Sequence, residues 1–187
     1  MLLQRERERV TKTTRSFTLI ELLIVIAIIG ILAALIIVSV TSVAAKARDV
    51  KRQEDLRNIQ KALEMYYTIN GSYPITSGFQ GNCSNYGSHP ISGSNGYVPN
   101  LAPTYISSLP LDPRQGINCQ GIVNNGACYL YASQAGTDYK LMAFRTVETI
   151  IPTPTNTLKN FYDPHYGAES APGDCTYSLY TPGAIDY

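Results

Sequence analysis

The distribution of apolar residues sets the first part of the chain apart from the rest. The 24 residues from Leu22 to Ala45 contain no charged side chain, and they are apolar on every side of a helix. As a helix they would span roughly 36 Å, and the hydrocarbon core of a bilayer is about 30 Å thick. Such a helix must be surrounded by lipid or by other helices. The pattern therefore predicts a transmembrane or filament-core helix over residues 17–45.

The next segment, residues 46–70, is amphipathic. It contains no Pro or Gly, and its apolar side chains recur at spacings of three and four, at Leu56, Ile59, Leu63 and Tyr66. One uninterrupted helix ending at Asn70-Gly71 is the simplest interpretation. Its basic residues have acidic residues three or four positions away, so we interpret them as a solvated, mutually paired face and not as a nucleic-acid surface. The pairs are Lys51 with Asp55, Asp49 with Arg52, and Lys61 with Glu64.

Residues 71–187 have the composition of a loop-rich β domain. Residues 128–133 and 138–146, joined by a short polar segment, form the clearest hairpin in the sequence, and residues 175–181 are a candidate third strand. Both faces of the predicted hairpin carry apolar residues, which favours a sheet covered on its two sides. The predicted fold class is α+β, with the long N-terminal helix packed on a small antiparallel sheet.

Charge is distributed unevenly between the two ends of the chain. Residues 1–16 contain five Lys or Arg and two Glu, whereas the remainder has ten basic and twelve acidic residues. A basic segment directly before an apolar run tends to stay in the cytoplasm. We therefore expect a cytoplasmic leader over residues 1–16 and an exported C-terminal domain.

All four cysteines lie in the part expected to be exported. An oxidising compartment would permit two disulfides, and four cysteines allow three pairings. The nine-residue separation of Cys119 and Cys128 favours that pair, which leaves Cys83 with Cys175. In a reducing exterior all four would remain thiols.

Glu21 is the main candidate for a functional side chain. A carboxylate in an apolar helix costs on the order of 3 kcal/mol in lipid and therefore needs a partner. Cleavage after Ser16 would create an amine at Phe17, in the same chain or in a neighbouring subunit. Between staggered parallel helices that pair would fix the register, because an unpaired buried charge is costly. The alternatives are an interfacial carboxylate of an ordinary anchor, and a secretory signal peptide cut near residues 43–45, although the apolar run is too long for the latter.

The segment from Arg15 to Glu21, Arg-Ser-Phe-Thr-Leu-Ile-Glu, with its basic leader and apolar run, resembles the processing signal of prepilins. These are the precursors of type IV pilins and of type II secretion pseudopilins. The resemblance implies cleavage between Ser16 and Phe17 by a prepilin peptidase, methylation of the new amine of Phe17, and Glu21 as the assembly carboxylate. The family usually has Gly before the cut. Ser16 is small, so we expect it to be processed.

Weaker motifs at residues 71–74, 105–113, 129–131 and 138–141 look most like those of the major pseudopilin of type II secretion. The resemblance implies assembly with copies of the same chain and other pilins, driven by an inner-membrane platform with a cytoplasmic ATPase. It also implies a calcium ion in the C-terminal loop, for which Asp163, Glu169 and Asp174 offer oxygen ligands. Solvated loop acids are the alternative interpretation of these three residues.

No arrangement of residues in the sequence indicates an enzyme. His89 and His165 are far apart in loops, and no catalytic or phosphate-binding motif occurs. The acidic balance after Gly71 argues against direct nucleic-acid binding. We expect a structural subunit of a type IV pilus or pseudopilus, with its C-terminal domain outside the cytoplasm and later in a filament. The alternative is a membrane-anchored extracellular ligand-binding or adhesion domain that does not polymerise.

Overall fold

A computed structural model describes residues 17–149, 151–155, 157–166 and 175–187, without the side chains of residues 35–40. The described residues divide into two compact units, one ending at Ser42 and the other comprising residues 43–187. The fold is α+β, as predicted. Its helix and strands are α1 (Leu19–Asn70), β1 (Gln80–Gly81), β2 (Cys128–Ala132), β3 (Lys140–Phe144) and β4 (Tyr177–Tyr180). Short 3-10 helices occur at Ser84–Tyr86, Lys159–Phe161 and Pro182–Ala184.

Helix α1 ends where the sequence predicts. Gly71 adopts a positive φ of 71°, and its N–H donates to the carbonyl of Tyr67 at 2.8 Å, which closes the last turn. The Asn70 side chain adds a hydrogen bond to the carbonyl of Tyr66 at 2.9 Å. Within the second unit the predicted apolar stripe is confirmed: Leu56, Ile59 and Leu63 are buried in the main core, and the half-buried Tyr66 packs against it.

The four strands form one antiparallel sheet in the order β1-β2-β3-β4. Cys128 pairs with Phe144 in the β2–β3 hairpin, and Lys140 pairs with Tyr180 between β3 and β4. The predicted hairpin and third strand are thus confirmed. Strand β1 has only two residues, too few to give an alternating pattern in the sequence, and it was not predicted.

Alternation along β2 divides the sheet into two buried faces. Tyr129 and Tyr131 lie in the main core with the helical stripe, whereas Cys128 and Leu130 lie in a second apolar cluster. The second cluster contains Cys83, Cys128, Leu130, Met142 and Phe144. Each face of the sheet is therefore covered by an apolar cluster, as the apolar residues on both faces of the hairpin predicted.

The cysteines form two disulfides, but the favoured pairing is wrong. Cys83 is bonded to Cys128, and Cys119 to Cys175. Cys128 lies in the second cluster, whereas Cys119 packs against the main core on the other side of the sheet. Short separation in sequence therefore does not bring Cys119 and Cys128 together.

Several tyrosines are core residues whose hydroxyl groups have hydrogen-bond partners. The hydroxyl of Tyr129 donates to Asp55 Oδ2 at 2.9 Å, and that of Tyr131 donates to the carbonyl of Pro74 at 2.8 Å. Burial raises the pKa of both phenols. These bonds allow large polar rings to be buried without leaving a hydroxyl unsatisfied.

Candidate functional site

The start of α1 is closed by a reciprocal pair of hydrogen bonds. The Glu21 N–H donates to Thr18 Oγ1 at 3.3 Å, and the Thr18 N–H donates to Glu21 Oε2 at 2.9 Å. The Thr18 hydroxyl also donates to Glu21 Oε2, at 2.8 Å. This is a capping box, which satisfies backbone N–H groups that have no partner inside the helix. Phe17, directly before it, is 81 % exposed.

The capping box changes the interpretation of Glu21. The Glu21 carboxylate already accepts hydrogen bonds from Thr18 of its own chain. It therefore has partners before any cleavage frees the amine of Phe17. Both carboxylate bonds use Oε2, and neither uses Oε1. The sequence signal for this motif is a Thr three residues before a Glu at the start of an apolar run. Reasoning from charge alone misses it.

The first unit presents apolar side chains on all sides of the helix. Each of the following is at least 46 % exposed: Leu19, Ile20, Leu22, Leu23, Ile24, Val25, Ile26, Ile28, Ile29, Ile31 and Leu32. Exposed apolar surface of this extent marks a region that contacts lipid or protein. The predicted processing residue Phe17 and the predicted assembly residue Glu21 thus lie at the start of a helix whose apolar residues from Leu19 to Leu32 are exposed.

Two predicted features at this end of the chain are not confirmed. The leader, with Ser16 before the expected cut, lies outside the described residues. Within the part of the chain that the structure describes, no helical segment combines the length and the apolar character that crossing a bilayer requires.

A buried ion cluster lies in the second unit around Arg52. The Arg52 guanidinium bonds Asp112 twice, at 2.7 and 3.0 Å, and also contacts Asp49 Oδ1 at 2.7 Å and Glu148 Oε1 at 2.9 Å. The predicted Asp49–Arg52 pair is therefore confirmed, as is Lys51–Asp55 at 3.4 Å. The predicted Lys61–Glu64 pair is wrong, since no carboxylate oxygen of Glu64 lies within 4.0 Å of Lys61 Nζ. The solvated interpretation is wrong for Arg52 and Asp49, since both are buried. Their other partners, Asp112 and Glu148, come from distant loops, which the helical spacing does not reveal.

Glu148 is the second residue of this cluster that bonds several charged side chains. It accepts hydrogen bonds from Arg48 at 2.6 Å, from Arg114 at 2.7 Å and from Arg52. Burial would raise the pKa of Glu148, but these three cations outweigh it and hold the pKa at about 2. The cluster thereby joins α1 to two loops, one before β2 and one after β3. It fixes the position of the helix on the sheet within this unit.

The predicted calcium ligands are only partly described. Asp163 is buried, and its Oδ2 lies 3.2 Å from Lys140 Nζ, so its charge is already balanced by a lysine. Its Oδ1 accepts the N–H of His165 at 2.9 Å. Glu169 and Asp174 lie outside the described residues. Among the residues that are described, no group of three His, Cys, Asp or Glu is placed to hold a metal. Calcium binding stays a prediction.

Comparison with known families finds the N-terminal motif. Residues 11–43 match the family described as the prokaryotic N-terminal methylation motif. The match includes Phe17, Thr18 and Glu21, and it indicates a prepilin-like substrate of the type IV pilin and pseudopilin kind. No curated protein and no solved structure matches the chain. The resemblance seen in the sequence is thus confirmed for the motif, while the resemblance to one kind of pseudopilin stays a prediction.

Proposed function

We propose that this protein is a structural subunit of a type IV pilus or a type II secretion pseudopilus. It is made as a membrane-inserted prepilin, cut after Ser16 and methylated at the amine of Phe17. It then assembles with copies of itself and other pilins into a helical filament through α1. The observation that carries the proposal is the methylation motif at the start of a helix whose apolar side chains from Leu19 to Leu32 are exposed.

The exposed helix accounts for both stages of this life cycle. Covering one Leu or Ile side chain is worth about 1.5–3 kcal/mol relative to water, so this surface requires either lipid or other helices. Exchanging lipid for helices gains little hydrophobic free energy, because lipid tails are as apolar as the side chains. Extraction from the membrane therefore needs outside work, from a cytoplasmic ATPase acting through an inner-membrane platform.

Glu21 supplies the specificity that apolar packing lacks. Cleavage after Ser16 leaves a positively charged amine one residue before the capping Thr18. A positive charge near a helix N-terminus is unfavourable, because the N-terminal end of the helix dipole is also positive. The Glu21 carboxylate of the same or a neighbouring subunit offsets that charge. A mismatched register would leave one of the two charges unpaired in an apolar surround, at a cost of several kcal/mol.

The mature N-terminus tests the processing step. We expect mass spectrometry of protein from cells with a prepilin peptidase to find N-methylated Phe17. An intact Met1, or a start near Lys46, would contradict the proposal.

Glu21→Ala tests assembly separately from processing. We expect normal cleavage and a large loss of subunits from sheared filaments, because the register-setting carboxylate is absent. Glu54→Ala, which removes an exposed glutamate from the same helix, is the matched control and should assemble normally. Processed protein that never enters filaments, with or without Glu21, would favour the membrane-anchored binding domain instead.

A further inference from the structure

The second unit contains an open cleft with three cations. The cleft has a volume of about 710 Å³ and lies between α1, the Lys159–Phe161 turn and the end of β4. Arg57, Lys61 and Lys159 line it, and none of the described residues that line it is acidic. Three positive charges that converge on one concavity favour a negatively charged ligand.

These cations are not neutralised within the part of the chain that the structure describes, and one of them, Arg57, contacts an aromatic ring. The Arg57 guanidinium lies 5.3 Å from the ring centroid of Phe161, an orientation that a cation–π contact favours. Lys61 is one helical turn further along α1, on the same face. Among the described residues no carboxylate oxygen lies within 4.0 Å of the charged nitrogens of Arg57, Lys61 or Lys159.

The rest of the lining offers neutral polar groups and aromatic rings. Gln60 and Asn160 carry amides, and Tyr162 and Tyr180 carry half-buried rings. Gln60 Nε2 donates to the hydroxyl of Tyr139 at 3.1 Å, which fixes the orientation of its amide. Amide and phenol groups suit hydroxyl-bearing ligands, aromatic rings suit the face of a sugar ring, and the cations suit a carboxylate or sulfate.

We propose that this cleft binds an acidic saccharide of one or two rings, with its carboxylate or sulfate held by Arg57, Lys61 and Lys159. A nucleic acid fits less well. It needs an extended basic track, whereas the lining of this cleft supplies three cations, which are too few to follow a nucleic-acid backbone. The cations are confined to a cleft that is large enough for one or two rings. This binding site does not depend on cleavage or on filament assembly.

Calorimetric titration of the full chain in neutral detergent tests the proposal. The probe is a sulfated, uronate-containing disaccharide from heparin, and maltose is the neutral comparison. We expect one disaccharide per chain, and no heat of binding with maltose. Arg57→Ala and Lys159→Ala should each weaken the affinity about tenfold, the effect of one charged hydrogen bond. Lys46→Ala removes an exposed lysine of the same helix outside the cleft, and it should bind like the unaltered chain.

Lys159 and Arg57 come from different elements, so the test does not depend on one variant folding. The melting temperature of each variant is measured first, and Lys159→Ala decides the matter if Arg57→Ala unfolds. Equal affinity for maltose would overturn the proposal. So would unchanged affinity in a folded cleft variant, or tighter binding of a single-stranded oligonucleotide than of the disaccharide.

Discussion

The guanidinium of Arg52 and the carboxylate of Asp112, separated by 60 positions in the chain, form a two-pronged ion pair from which solvent is excluded. Nε lies 2.7 Å from Oδ2 and Nη2 lies 3.0 Å from Oδ1, and both side chains have 0 % exposure. The pair fastens the loop before β2 to α1. A buried ion pair adds geometric specificity, and its stability depends on every charge being matched.

Arg52→Met should therefore destabilise the second unit strongly. It leaves the carboxylates of Asp49 and Asp112 buried without their cation, and we expect a loss of about 3–5 kcal/mol in the free energy of unfolding. Urea unfolding followed by near-ultraviolet circular dichroism measures it, since all fourteen tyrosines lie in this unit. Arg48→Met removes a cation that is 30 % exposed and should cost clearly less. Equal stability of Arg52→Met and the unaltered chain would contradict the stabilising role of the cluster.

The lowered pKa of Glu148 predicts that the second unit loses stability in acid. Its pKa is lowered from 4.5 to about 2 in the folded chain, because three arginines outweigh the effect of burial. The stabilisation is therefore fully present above pH 4.5 and is lost as the pH falls from 4.5 towards 2. We expect the melting temperature to fall in this range. Glu148→Gln, which cannot titrate, should start less stable and lose less over the same range; an identical slope would assign the acid sensitivity to other groups.

The features predicted correctly from the sequence are those encoded locally. The helical stripe through Leu56 and Ile59 follows from spacings of three and four, and the β2–β3 hairpin follows from two short apolar runs close together. Asp49 was found as a partner of Arg52 from its helical spacing, but Asp112 and Glu148 could not be, because they approach Arg52 only after the loops fold back. The cysteine pairing failed for the same reason, since it depends on which face of the sheet each cysteine occupies.

The N-terminal methylation motif was predictable because it is continuous in sequence. Phe17 and Glu21 lie four positions apart, and no folding is needed to bring them together. The bond between Thr18 and Glu21 is equally local and could have been predicted from the capping signature. The lysine partner of Asp163 could not, because Lys140 reaches it only once β3 is part of the sheet.

The two disulfides can be tested by peptide mapping without reduction. We expect linked peptides containing Cys83 with Cys128, and Cys119 with Cys175. Their sequence separations of 45 and 56 residues predict a loss of about 4 kcal/mol for removing either one, by the chain-entropy model. Denaturation of the Cys83→Ser/Cys128→Ser and Cys119→Ser/Cys175→Ser chains measures this. A peptide linking Cys119 to Cys128 would contradict the described arrangement of the sheet faces.

Thr18→Val distinguishes helix capping from assembly. The change removes the hydroxyl that bonds Glu21 but keeps the carboxylate, and loss of a capping side chain costs about 1 kcal/mol. If Glu21 acts between subunits, Thr18→Val should still enter filaments at nearly normal levels, whereas Glu21→Ala should not. The amount of subunit in sheared filaments, relative to processed protein in the membrane, is the measurement. Equal loss in both variants would show that Glu21 works only through the cap.

Gly81 is required by the close approach of β1 to β2. A Cβ at this position would lie 2.6 Å from Leu130 Cδ2, 2.8 Å from the carbonyl oxygen of Tyr129 and 2.9 Å from Cys128 Sγ. The backbone oxygen and the disulfide sulfur have little freedom to move, so Gly81→Ala should cost about 1–3 kcal/mol.

Gly78→Ala is the matched control for this change, since an added Cβ there meets nothing within 4 Å. It should be neutral or slightly stabilising, because alanine restricts the unfolded chain. Thermal unfolding of the two variants side by side gives the comparison. The short strand β1 carries the segment that positions Cys83 beside Cys128, so Gly81→Ala should also make that disulfide easier to reduce. Two variants with the same melting temperature would mean that β1 does not pack against β2 this closely.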